Sequence, residues 1–176
     1  MKSPTLIMIL LLGIGTGLAG AAAPPAPEPA RPPLPPEGIH LVPPDPGLPA
    51  DIKEFSGSWQ GVWFDPDHPQ SGVRELLIVE EVASKDKIKV IFSWGDCPVC
   101  RSKADWRRFS GRIVNLCVDW KRLPGPFSNV NSDALGEKKV LVFGYPEGRT
   151  FTFVLDNEGQ LLGTDGWGSI KMKRVQ

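Results

Sequence analysis

The segment KIKVIFSW, residues Lys87–Trp94, decides the fold class, because apolar and polar side chains alternate along it. One face carries Ile88, Val90, Phe92 and Trp94, and the other carries Lys87, Lys89 and Ser93. A period of two is typical of a β-strand that buries one face and exposes the other. We therefore expect a strand here, in a sheet that turns one face to a core.

Seven more segments have the length and pattern of short strands. They are residues 58–65, 74–82, 113–120, 139–143, 150–155, 161–163 and 169–175. In residues 74–82 the predicted buried face carries Leu76, Ile78 and Val82, and in residues 113–120 it carries Val114 and Leu116. Residues 103–108 predict a single turn of helix and nothing longer.

About eight short strands joined by short turns predict an all-β domain. We expect an antiparallel up-and-down β-barrel, because closure removes the exposed edge strands of an open sheet. An open β-sandwich is the alternative architecture. A barrel of eight strands is either filled by side chains or holds one small ligand.

The N-terminus has the three parts of a secretion signal. Lys2 supplies the positive charge, residues 6–18 are almost wholly apolar, and Ala19-Gly20-Ala21 forms a small-x-small cleavage site. We expect residues 1–21 to be a signal peptide, and the mature protein to be periplasmic or secreted with no segment inserted in a membrane. The alternative is that an uncleaved N-terminal segment anchors the protein.

Proline dominates the next part of the chain. Twelve of the nineteen prolines fall in residues 24–49. Proline fixes φ and lacks an amide donor, so neither a helix nor a central strand can form there. The sequence predicts a disordered, extended spacer over residues 22–50, followed by a compact domain over residues 51–176.

The charge balance narrows the classes of partner. The chain carries 20 basic and 20 acidic side chains and has a formal net charge of zero. A neutral chain exerts no long-range attraction on nucleic acid or on an anionic membrane. We therefore expect a small molecule or an exported protein as the partner, and no nucleic acid.

Residues 55–59 contain a Gly-x-Trp motif, Gly57 to Trp59, that resembles the opening of lipocalin and avidin-like (calycin-type) β-barrels. Residues 57–174 as a whole resemble small exported bacterial β domains of unknown function. The ordered motifs that carry this resemblance are GSWQGVW at 57–63, SWG at 93–95 and MKR at 172–174. The resemblance implies a barrel closed at one end, where Trp59 forms the plug and Arg174 of the last strand packs across it.

Cys97, Cys100 and Cys117 are the disulfide candidates, because an exported chain meets an oxidising compartment. The sequence leaves open which two of them pair. The Cys-x-x-Cys spacing of the first two also fits a thiol–disulfide oxidoreductase, in which a helix N-terminus lowers the pKa of the first thiol. The residues after Cys100 lack the pattern of a long amphipathic helix, and a zinc site would lack its fourth ligand.

Four tryptophans are candidate ligand-binding residues, because aromatic side chains at a barrel mouth can hold a small molecule. They are Trp63, Trp94, Trp106 and Trp120. Asp65, Asp67 and His68 lie together in a segment rich in Pro and Gly, which predicts a turn and leaves a cation site as the alternative.

No motif of a hydrolase, a metalloprotease or a phosphate-binding loop occurs in the chain, and we expect no cofactor. The sequence predicts a non-catalytic exported module that binds a small apolar or amphipathic ligand. One alternative is an exported interaction protein, such as an inhibitor or an envelope accessory subunit, that acts through loops such as residues 121–135. The other is a thiol–disulfide oxidoreductase that uses Cys97 and Cys100.

Overall fold

The structure, a computed structural model, describes residues 31–69, 72–117, 137–145 and 148–175. These ranges contain a four-residue helix, α1 (Ala50–Lys53), and the strands β1 Gly57–Phe64, β2 Arg74–Ser84, β3 Lys87–Trp94, β4 Asp105–Cys117, β5 Glu137–Gly144, β6 Thr150–Leu155, β7 Leu161–Thr164 and β8 Ser169–Val175. None of the helical structure within these ranges is long and apolar enough to cross a membrane. The predicted signal peptide, residues 22–30 of the predicted spacer, Trp120 and the predicted loop at 121–135 lie outside the described residues.

The sheet is a closed up-and-down barrel. Each strand pairs antiparallel with the next one along the chain. The first and last strands also pair, in a register that runs from Ser58 opposite Val175 to Phe64 opposite Ser169. The predicted all-β barrel of eight strands is therefore confirmed, and the open sandwich is wrong because the pairing of β1 with β8 closes the sheet.

Strand β4 differs from its prediction in extent and in register. It begins at Asp105, so the predicted helical turn at residues 103–108 is wrong. Phe109 lies opposite Val90 of β3, which puts Ile113 on the inward face and leaves Leu116 exposed on the outside. Apolar residues occupy neighbouring positions in this strand, so a slip by one residue exchanges its two faces.

The inward and outward faces of the first part of strand β2 are also the reverse of the prediction. Leu77 and Val79 join the core inside the barrel, whereas Leu76 and Ile78 point outward. Val82 does face the interior as predicted, because a β-bulge between Val79 and Glu81 shifts the alternation. Four consecutive apolar residues, 76–79, make the alternation unreadable from the sequence.

Aromatic rings fill the middle of the barrel. Phe92, Phe143, Phe151 and Phe153 form one cluster. The ring centroid of Phe92 lies 4.7 Å from that of Phe151, and the ring of Phe143 stacks on Phe153 at 5.7 Å. The packed rings of its own side chains thus fill the barrel at mid-height.

One end of the barrel is plugged by Trp59, as the resemblance implies. Trp59 is fully buried, and its indole Nε1 donates a hydrogen bond to the Phe55 carbonyl oxygen at 3.0 Å. The guanidinium carbon of Arg174 lies 4.1 Å from the centroid of the indole ring. The same guanidinium donates to the carbonyl oxygens of Glu54, at 2.5 Å, and Ser56. Burial lowers the pKa of Arg174, and the negative charge of Glu54 opposes that shift.

The proline-rich segment contacts the outside of the barrel, which differs from the free spacer that its composition predicts. The hydroxyl of Ser93 in β3 donates to the Pro33 carbonyl oxygen at 2.5 Å. Further along, the Val42 amide donates to the Glu80 carbonyl oxygen at 2.7 Å. Between these points Arg108 forms ion pairs with both Glu37 and Glu80. Burial alone would raise the pKa of Glu80, but the hydrogen bonds from Arg108 and the His40 amide outweigh it and hold that pKa below its usual value.

This segment explains two buried isoleucines on the outer face of the barrel wall. Ile78 and Ile91 lie opposite each other on β2 and β3, and both are fully buried although they point away from the interior. Ser93 and Glu80, the residues that contact the segment, are each two positions away on the same outer face. Pro35 of the segment is itself buried. We infer that residues 33–42 cover this pair.

Candidate ligand-binding cavity

Four connections meet at the end of the barrel opposite Trp59. They join β1 to β2, β3 to β4, β5 to β6 and β7 to β8, and their described residues are 65–69, 72–73, 95–104, 145, 148–149 and 165–168. They are brought together because alternate turns of an up-and-down barrel fall at the same end. With the adjoining strand ends they surround a cavity of about 570 Å³ that opens to solvent.

Aromatic rings form the floor and the walls of this cavity. Phe92 and Phe151, from the central cluster, lie at its floor. Trp63, at the end of β1, contacts Phe151 edge to face at a centroid distance of 6.1 Å. Trp94, at the end of β3, contacts Tyr145 at 6.0 Å and is held by a hydrogen bond of 2.9 Å from its indole Nε1 to the Lys103 carbonyl oxygen. These rings supply the apolar part of the cavity wall.

Glu75 places a carboxyl group in this aromatic surround. It is the second residue of β2 and faces the interior with Leu77, opposite Trp94 of β3. Only 7% of its surface is exposed, and its Oε2 atom has no hydrogen-bond partner among the described residues. Burial, together with the nearby negative charge of Asp165, raises the pKa of Glu75 well above its usual value. A buried polar atom without a partner is costly, so it needs an explanation.

The loop between β7 and β8 carries the charged part of the rim. The Oδ1 atom of Asp165 accepts hydrogen bonds from the amides of Trp167, at 2.9 Å, and Gly168, at 3.0 Å, which fixes the loop. Arg149 lies 3.5 Å from Asp165 Oδ2, and its guanidinium carbon is 5.6 Å from the Trp167 ring. Trp167 is 70% exposed, so the rim presents a large aromatic ring to solvent.

The cluster of Asp65, Asp67 and His68 forms a turn on the same rim. Asp65 accepts hydrogen bonds from the amides of Asp67 and His68, and its Oδ2 lies 3.0 Å from the His68 ring. Burial alone would raise the pKa of Asp65, but these hydrogen bonds outweigh it and lower that pKa. Among the described residues no group of three or more His, Cys, Asp or Glu side chains is placed to hold a metal ion.

Cys97 and Cys100 form a disulfide on the cavity wall, with their Cα atoms 5.2 Å apart. Of the three candidates these are the two that pair, and Cys117 ends β4. Cys97 is buried, and the segment after it is a turn in which the backbones of Cys97 and Ser102 exchange hydrogen bonds of 2.8 and 3.1 Å. Oxidoreductase chemistry calls for an exposed first cysteine at the start of a helix. Residues 95–104 do not form such an arrangement.

The structure brings together two of the four predicted ligand-binding tryptophans. Trp63 and Trp94 both line the cavity. Trp106 lies on the outer face of the wall, opposite Ser93 and 5.7 Å from the guanidinium carbon of Arg108, and does not line this cavity. Trp120 lies outside the described residues.

Other cavity residues were missed by the sequence analysis: Glu75, Tyr145, Arg149, Phe151 and Asp165. An acidic residue at the head of an apolar strand is the one signal that could have indicated Glu75.

No protein-family model, curated protein or solved structure matches the chain. What is shown of the resemblance to calycin-type proteins is the closed antiparallel barrel. Function is therefore inferred from the chemistry of the cavity.

Replacing Glu75 by Gln should stabilise the barrel at pH 8 and change its stability little at pH 4.5. Because the pKa of Glu75 is raised in the folded protein, folding takes up a proton between the unfolded and the folded pKa values, and wild-type stability falls as the pH rises through that range. Glutamine does not titrate, so the difference in unfolding free energy between the two proteins grows with pH. It reaches about 1.4 kcal/mol for each unit by which folding raises the pKa of Glu75. Urea unfolding of both proteins at the two pH values measures it. A difference that does not change with pH would contradict the burial of an uncompensated carboxyl group.

Proposed function

We propose that this protein is an exported, non-catalytic binding module of the calycin type, which holds one small amphipathic ligand at the open end of its barrel. The observation that carries the proposal is the cavity of about 570 Å³ formed by Trp63, Trp94 and Tyr145 around the buried carboxyl group of Glu75. Export is supported by the predicted signal peptide and by the Cys97–Cys100 disulfide, which an oxidising compartment favours.

The size and lining of the cavity fit a small molecule better than a macromolecule. Sites for small ligands measure roughly 300–1,000 Å³ and combine mostly apolar walls with a few polar groups that fix orientation. The filled interior stops the ligand at the floor formed by Phe92 and Phe151. A ligand bound there keeps one side close to solvent, and an amphipathic compound suits that position.

A second candidate function, an interaction protein that acts through its loops, is supported by one observation. Trp167 is 70% exposed on the β7–β8 loop, beside the charged pair of Arg149 and Asp165. Exposed aromatic residues next to charged ones are common at the centre of protein interfaces. In that case Trp167 would contact a protein, whereas the preferred proposal has it flank a small ligand.

Native mass spectrometry of the protein isolated from its own envelope tests the proposal. We expect an added mass of a few hundred daltons that dissociates on collisional activation, since this is the range that such a cavity holds. Trp167→Ala should lower the bound fraction without lowering stability, because that ring is largely exposed. Val99→Ala is the matched control: Val99 is 56% exposed on the same side of the barrel but does not line the cavity.

Two results would overturn the preferred proposal. One is a wild-type protein that carries no added mass and binds none of three small naphthyl compounds, an amine, an alcohol and a carboxylate. The other is a stoichiometric second protein in the spectrum that is lost with Trp167→Ala, which would establish the interaction protein instead.

A further inference from the structure

We propose that the ligand is a monovalent organic ammonium ion, with its charged head on the Glu75 carboxyl group and its apolar body between the aromatic walls. This inference rests on the proposed function, because it names the chemical class of the compound that the same cavity holds. It follows from three features of the cavity: an unpartnered buried acid, an excess of acidic groups and the faces of several aromatic rings.

The unpartnered acid is the strongest of the three. Glu75 lines the cavity, is 93% buried, and has an Oε2 atom without a hydrogen-bond partner among the described residues. The nearby charge that acts on it is that of Asp165, which is also negative. A ligand that donates a charge-assisted hydrogen bond would satisfy this atom, and an ammonium group is such a donor.

The balance of charge around the cavity also favours a cation. Four carboxyl groups, two guanidinium groups and one imidazole line it: Asp65, Asp67, Glu75 and Asp165 against Arg101, Arg149 and His68. Arg149 is already engaged by Asp165 at 3.5 Å, which reduces what it can offer to an anion. The carboxyl groups would therefore repel an anionic ligand and attract a cation. Repulsion between like charges is a main source of specificity, because it excludes the wrong partner.

The aromatic walls offer the second element of ammonium recognition. The faces of Trp and Tyr rings attract cations, and an ammonium ion surrounded by such rings is bound more strongly when water is excluded. Two rings of this cavity already have guanidinium groups over their faces: Arg107 lies 4.9 Å from Tyr145, and Arg149 lies 5.6 Å from Trp167. Trp63 and Trp94, nearer the floor, lie on either side of Glu75 in the barrel wall, on β1 and β3.

The test is a series of three probes that share one apolar body and differ in charge: 2-(2-naphthyl)ethylamine, 2-(2-naphthyl)ethanol and 2-naphthylacetate. Isothermal titration calorimetry with the full mature protein at neutral pH gives each dissociation constant. We expect the amine to bind at least about tenfold tighter than the alcohol, as one charge-assisted hydrogen bond predicts. The carboxylate should bind most weakly.

Glu75→Gln should remove the preference for the amine over the alcohol, because it removes the carboxyl group that the ammonium head contacts. Glu81→Gln is the matched control, since Glu81 is on the same strand but forms its ion pair with Lys89 outside the cavity. The comparison of the three probes on the wild-type protein does not depend on either variant. It therefore still tests the inference if a variant fails to fold.

The outcomes separate this inference from the proposed function. Equal binding of the amine and the alcohol, both weakened by Trp167→Ala, would overturn the ammonium inference and leave the binding module. Tightest binding of the carboxylate would overturn it in favour of an anion held by Arg149. If no probe bound, the charge of a ligand retained in native mass spectrometry would decide the inference, and the absence of any such ligand would overturn the proposed function as well.

Discussion

Deleting residues 1–43 is expected to lower the free energy of unfolding of the barrel by about 3–6 kcal/mol, because it uncovers Ile78 and Ile91 on the outer wall. Complete burial of one such side chain is worth about 1.5–3 kcal/mol. Both are fully buried, and the contacts at Pro33 and Val42 lie on either side of them. Leu48 packs against the core at the plugged end, so the deletion stops before it. Urea unfolding monitored by tryptophan fluorescence measures the change.

The reference protein for this deletion begins at Arg31, so that the two proteins differ only in residues 31–43. Glu37→Gln in the reference protein separates the ion pair with Arg108 from the apolar cover, and we expect little effect from it because the pair is at the surface. Equal unfolding free energies for the proteins that begin at Arg31 and at residue 44 would show that the segment contributes no cover, and the spacer predicted from composition would then extend to residue 43.

The sequence predicted the barrel because apolar and polar residues alternate along its strands and the turns are short. It did not predict, for every strand, which face points into the barrel. In β3 the polar residues Lys87, Lys89 and Ser93 mark the outer face, and the prediction for Ile88 and Val90 is right. In β2 the outer face carries Ile78, which is fully buried although it points away from the interior, so an apolar residue there does not mark the inward face. Proline content predicts an extended backbone and says nothing about whether that backbone contacts a surface.

The candidate site was predictable in part for a similar reason. Trp63 and Trp94 end predicted strands, so their place at a barrel mouth could be inferred from strand boundaries alone. Glu75 could not, because its inward orientation depends on the register of β2. Arg149 and Asp165 meet only because closure brings two connections together that are separated along the chain. A cavity assembled from four turns is a property of the closed barrel and of no single segment.

Arg174→Ala is expected to lower the free energy of unfolding by about 1–3 kcal/mol, because it removes a cation from the face of Trp59 and two hydrogen bonds to backbone carbonyl oxygens. Those carbonyls, on Glu54 and Ser56, belong to the segment that turns into β1. Gly57 makes the turn possible: its φ is +115°, and a Cβ atom there would lie 2.6 Å from Arg174 Nη1. One guanidinium group thus ties the entry of the first strand to the end of the last.

Lys173→Ala is the matched control, since Lys173 is the neighbouring cation on the exposed outer face of β8 and lies opposite Gln60. A double-mutant cycle of Arg174→Ala with Trp59→Leu isolates the part that depends on the aromatic ring, and we expect a coupling of about 0.5–2 kcal/mol, the range for a cation on an aromatic face. Equal and negligible losses of unfolding free energy from Arg174→Ala and Lys173→Ala would contradict this account of the plugged end. The packing of Arg174 on Trp59 would then contribute nothing measurable to stability. Loss in Arg174→Ala with no coupling to Trp59 would instead assign the stability to the two carbonyl contacts, which hold residues 54–56 against the barrel end whichever side chain lies beneath.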